Sequence, residues 1–324
     1  MKQSSKKATR LAIATALVAG LAACGSSSGS GTSTKGAPIT LAVNPWTGSA
    51  VNANVAKVVL ESKLGTTATL TDIDENATWV GMDKGDIDAV LEQWPSGHGP
   101  DMKTYIDEKK TVVNLGKLGP EAKIGWYVNA AALAADPKVA TWEGFKDAAT
   151  AGKFATPETG DQGRFLMGDP SYVTFDEQII TNLKLPLKYT VAGSEAALIT
   201  AIKQAETDTK PILLQFWQPH WLQSKVKLTE VKLPAVTPAC LASADAKDGK
   251  YACDYAPDPI FKAASVKLEK KNAKALAFLK KFTLTTDQQN EVAAMIDGDG
   301  MKADAAAKKW VDANAKIVDG WLAK

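Results

Sequence analysis

The sequence predicts a two-lobed α/β protein. Its 324 residues are enough for about two domains. Strand-like and helix-like segments alternate through residues 38–94, and the alternation starts afresh after about residue 128. From residue 235 the pattern changes to amphipathic helices closing the chain.

In chain order, "PITLAVNPW" (38–46) alternates into an apolar strand, and "SAVNANVAKVVLESKLG" (49–65) carries apolar residues at helical spacing with Gly65 as its stop. "TATLTDID" (67–74) reads as a strand, "NATWVGMDKGD" (76–86) as a short helix ending at Gly85, and "IDAVLEQW" (87–94) as a third strand. Strand–helix–strand repeats imply a mainly parallel sheet, and ligands of such sheets sit beyond the carboxyl ends of the strands. "AKIGWYVNAAAL" (122–133), "GRFLMGD" (163–169) and "PILLQFW" (211–217) read as further strands. "TWEGFKDAATAGKF" (141–154), "TFDEQIITNLKL" (174–185) and "SEAALITAIKQAET" (194–207) read as helices. Trp79, Trp142, Trp310 and Trp321 fall within helical patterns and are expected to pack in the core.

The first 24 residues are read as a leader. Lys2, Lys6, Lys7 and Arg10 precede the apolar run "LAIATALVAGLAA" (11–23), which is too short for a membrane span. "LAAC" then resembles a bacterial lipobox, with Cys24 as the lipidated first residue of the mature chain. "GSSSGSGTSTKGAP" (25–38) is a flexible tether. Loss of residues 1–23 removes four positive charges, so the net charge of +2 becomes −2. No basic patch remains to point to nucleic acid. Cys240 and Cys253, 13 apart in a chain read as exported, are expected to form a disulfide. A metal there lacks nearby histidine ligands.

No phosphate-binding glycine loop, HExxH, CxxC or GxSxG motif is present, and neither a cofactor nor a metal is expected. Three stretches share another form: "NPWTGSA" (44–50), "EQWPSGHGPDM" (92–102) and "QFWQPHW" (215–221) each end a strand on a tryptophan followed by turn residues. "GDPSYVTFDEQ" (168–178) sets Tyr172 just before a helix. Converging aromatic faces attract a weakly hydrated cation, and a quaternary ammonium fits best, at roughly 0.5–2 kcal/mol per ring.

These stretches together resemble the glycine betaine/choline/proline-betaine substrate-binding proteins of ABC importers, over nearly all of the mature chain. "QWPSGHGPDM", "PILLQFWQPHWL" and "MGDPSYVTFDEQ" carry the resemblance. It implies a hinged, type II periplasmic-binding-protein fold, with lobe one at 38–127 and 235–324, lobe two at 128–234, and crossings near 127–129 and 232–236. It places Trp94, Tyr172 and Trp217 on the three walls of an aromatic box, with Tyr172 where better-known members have tryptophan. His98 matches a histidine that helps bind the ligand carboxylate, and Val173 and Thr174 fall where backbone N–H groups meet it. A helix start there would favour an anion. Trp46 ends a strand at the cleft, and Glu92 shares the face of Trp94; both are expected at the site, with Trp221 as support behind the box. The implied partners are a quaternary ammonium ligand, a permease with its ATPase, and the outer face of the cell membrane through the lipid anchor, the protein itself being a monomer. Choline or carnitine is the alternative ligand. An enzyme acting on methylated amines would have only Glu92 with His98 as an acid–base pair.

Overall fold

The structure, a computed structural model, describes residues 36–323. The leader, Cys24 and nearly all of the tether lie outside the described residues. Among the described residues ten strands form two five-stranded sheets. The first sheet holds β1 (Ile39–Val43), β2 (Ala68–Asp72), β3 (Ala89–Gln93), β4 (Val112–Lys117) and β10 (Phe261–Ser265), in the order β2-β1-β3-β10-β4. The second holds β5 (Lys123–Asn129), β6 (Gly163–Met167), β7 (Leu187–Val191), β8 (Leu213–Gln218) and β9 (Leu228–Glu230), in the order β7-β6-β8-β5-β9. With helices against both sheets, this is the bilobal α/β fold.

Each sheet is mixed, where the strand–helix pattern alone implies a mainly parallel one. β1, β2 and β3 run parallel, and β10 crosses between β3 and β4 antiparallel to both. In the second sheet β6, β7 and β8 run parallel, while β5 is antiparallel to β8 and β9. Local periodicity marks strands but not their partners, so it cannot see that β10, distant in the chain, enters between β3 and β4. The repeated design is a three-stranded parallel unit extended by two further strands.

The helix Thr47–Leu64 packs its apolar residues Val51, Val55, Val59 and Leu60 into the core and ends at Gly65, whose left-handed φ of 62° suits a residue without Cβ. The helix Glu75–Lys84 is capped by Asp74, which accepts the Ala77 N–H. The stretch expected as one helix over 141–154 is a short 3₁₀ turn, Trp142–Lys146, followed by Ala148–Gly152. Trp79, Trp310 and Trp321 are buried, and Trp142 is half-buried with Lys146 over its ring.

A division at 127–129 would cut β5, which lies whole in the second sheet, so the first passage between sheets falls at 118–122. The second spans 231–260. This stretch contains the Cys240–Cys253 disulfide, and part of it packs on the second lobe: Tyr251 stacks on Phe175 at 4.3 Å, and the Tyr255 hydroxyl donates to Asp176. Those contacts bury both tyrosines and tie the loop to residues the sequence division kept apart from it.

A ring-lined cavity between the sheets

The carboxyl ends of the parallel strands point at one place. After β1 the chain reaches Trp46, after β2 Glu75, and after β3 Trp94 and Ser96. After β6 it reaches Tyr172, Val173 and Thr174, and β8 itself carries Gln215 and Trp217. These residues, with Ile124 of β5, line one cavity. The rings stand against one another: Trp46 and Tyr172 are edge to face at 6.0 Å, and Tyr172 and Trp217 at 5.7 Å. The Tyr172 hydroxyl donates to the Pro45 carbonyl, which fixes a second-lobe ring beside the first-lobe Trp46.

Glu75 is the charged residue of this lining. It is the first residue of its helix, and its carboxylate faces two ways. Oε1 accepts the Val173 N–H at 3.2 Å, across the two lobes. Oε2 accepts from His98 Nε2 at 2.9 Å, while His98 Nδ1 donates to Asp101 at 2.9 Å. Burial opposes a charge on His98, but the hydrogen bonds to Asp101 and Glu75 outweigh it and push the imidazole pKa up to about 9. Ser96 donates through both its N–H and its hydroxyl to Asp258, whose carboxyl is pushed up to about 6, chiefly by burial. The Gln215 Oε1 in the cavity wall has no hydrogen-bond partner among the described residues.

The structure thus brings Trp46, Trp94, Tyr172, Val173, Thr174 and Trp217 to one cavity and leaves two expected site residues outside it. His98 has no exposed surface and both ring nitrogens are engaged, so it holds Glu75 in place and does not face a ligand. Glu92 lies behind the tryptophans, where Trp46 Nε1 donates to it at 2.7 Å and Trp94 Nε1 at 3.1 Å. The expected anion-binding helix start is also corrected. The helix begins at Asp176, two residues after Thr174, and the Val173 N–H is taken by Glu75. Trp221 is in contact with His220 and donates through Nε1 to Asp297 at 2.9 Å, outside the cavity lining.

Glu75, Gln215, Ser96 and Ile124 were not foreseen as lining residues. For Glu75 a signal existed: it follows the carboxyl end of a parallel strand and opens a helix, where such sheets place ligand groups. Gln215 and Ile124 sit inside strands and carry no such mark.

The family described as the substrate binding domain of ABC-type glycine betaine transport systems matches residues 37–313. This chain belongs to that family. Its members are extracytoplasmic binding proteins of ABC transporters, not enzymes. The trimethylamine N-oxide-binding protein of Pelagibacter ubique (strain HTCC1062) is 28% identical over 293 residues, covering 86% of this chain and 89% of that protein. Among solved structures, lactococcal OpuAC in a closed, liganded conformation with glycine betaine has a TM-score of 0.68 at 23% identity, over 88% of this chain and 99% of that one. An ABC-transporter choline binding protein in complex with choline has a TM-score of 0.70 at 16% identity, over 88% of this chain and 91% of that one. These likenesses carry the type II periplasmic-binding fold. No described helix is long and apolar enough to cross a membrane.

Proposed function

We propose that this protein, as a monomer anchored by lipid on Cys24 at the outer face of the cell membrane, captures a small methylated ammonium compound and presents it unchanged to an ABC permease. One observation carries the reading: Trp46, Trp94, Tyr172 and Trp217, drawn from both lobes, line one cavity whose charged residue is the carboxylate of Glu75. Ring quadrupoles and a carboxylate both favour a cation, and methyl groups lower its hydration enough for it to leave water. The named relatives bind trimethylamine N-oxide, glycine betaine and choline, which share a trimethylated nitrogen.

The polar end of the cavity supports one order of ligands over another. A ligand carboxylate aimed at the Val173 N–H would meet the Glu75 oxygen already there, whereas a hydroxyl would donate to it. A choline-type cation therefore leads, and glycine betaine is the second reading. Betaine is favoured by the Val173 and Thr174 backbone and by the Gln215 amide, provided Glu75 releases Val173.

Calorimetric titration with choline, glycine betaine, proline betaine, carnitine, trimethylamine N-oxide and proline tests both levels. We expect saturable binding of a trimethylated compound and none of proline. Absence of binding by every trimethylated compound would sink the proposed function. Glycine betaine outranking choline would overturn the argument from Glu75 while leaving the ring-lined box standing.

A further inference from the structure

Glu92 lies on β3 one layer behind the cavity, buried to 2% exposure. Its four hydrogen-bond partners are all uncharged donors. Oε1 receives the indole N–H of Trp46 and of Trp94, and Oε2 receives Asn52 Nδ2 at 2.5 Å and Gln289 Nε2 at 2.6 Å. Among the described residues no lysine or arginine hydrogen-bonds to it. The fit is tight: a Cβ on Gly48 would stand 2.8 Å from Oε2, so any side chain there would displace the carboxylate.

We propose that Glu92 is the positioning residue and buried counter-charge of the ligand cation, acting through the two indole rings that it holds. The inference rests on the methylated-ammonium reading above. One oxygen orients two walls of the box, and an indole that donates its N–H to an anion has a more electron-rich face toward the ligand. A negative charge without a cation of its own in a low-dielectric wall also attracts a cation through the ring more strongly than it would in water.

Burial pushes the Glu92 pKa up to about 7 against the lowering effect of hydrogen bonds from Trp94, Trp46 and Gln289, with the charge of Glu195 raising it further. The titratable groups facing it from the second lobe are Glu195 and His220, which bond each other. Its partners on the helices Thr47–Leu64 and Thr286–Ala293 are neutral.

The test compares choline with its uncharged carbon isostere, 3,3-dimethylbutan-1-ol, by calorimetry on the full-length protein and on Glu92→Gln. In the unmodified protein, choline affinity should rise about tenfold from about pH 5.5 to about pH 8.5 while the isostere stays flat. In Glu92→Gln, choline should lose about tenfold more affinity than the isostere, and the pH profile should flatten. Equal losses for the two ligands, or a choline profile in the unmodified protein that parallels the isostere, would overturn the proposal. A choline profile that parallels the isostere overturns the proposal even if the variant fails to fold. Failure of choline and the other trimethylated compounds to bind the unmodified protein overturns the functional reading instead.

Discussion

Replacing Trp217 by leucine keeps an apolar side chain in the cavity wall but removes one ring of four. The ring is 7% exposed, so a cation against it is largely desolvated, and the loss belongs near the upper value for a cation–π contact, about 2 kcal/mol. At 1.4 kcal/mol per factor of ten, affinity should fall about 30-fold. The same ring stands 4.9 Å from Phe216, 5.3 Å from His220 and 5.7 Å from Tyr172, so some folding stability goes with it, about 1–3 kcal/mol. Titration calorimetry at pH 8 with the tightest trimethylated ligand, alongside thermal unfolding without ligand, separates the two effects. A variant that unfolds cooperatively and binds within twofold of the unmodified protein would refute the reasoning, because no ring of a working box is dispensable.

Three further outcomes are expected. Glu75→Gln removes the carboxylate from the polar end, so the ratio of choline to glycine betaine affinity should fall by about tenfold, read in the same titration panel. Trp221→Phe deletes the N–H that donates to Asp297 across the lobes and replaces the indole by a smaller aromatic ring; ligand affinity should weaken by about threefold to tenfold through a less favourable closed state, with ligand contacts unchanged. His98 has a pKa raised to about 9 in the fold, so its stabilising effect is present in full below its unfolded value near 6.5 and is lost as pH rises through about 9. Denaturant unfolding between those pH values should show that decline, and His98→Gln should remove the His98 part of it.

The sequence by itself placed the chain in its fold class and named the aromatic residues that the cavity gathers. It could do so because both signals are local. Apolar periodicity marks each strand and helix, and a tryptophan at the end of a parallel strand marks the edge where such sheets bind ligands. Trp46, Trp94 and Trp217 were legible on those grounds, and Tyr172 from the turn that carries it and the resemblance there. What only the tertiary structure decided is how charge is distributed around those rings. Glu92 and Trp94 share a strand face, so sequence spacing put both in the cavity; the Trp46 and Trp94 indoles instead cover the carboxylate. His98 lies in a motif that resembles a ligand-binding one, yet Asp101 and Glu75 occupy both its nitrogens, and Glu75, on a different helix, takes the place at the cavity. Trp217 and Trp221 lie four apart in sequence, and one lines the cavity while the other bonds to Asp297, 76 residues further along the chain. A hydrogen bond joins groups by distance in space, and separation in sequence says nothing of that distance until the chain has folded.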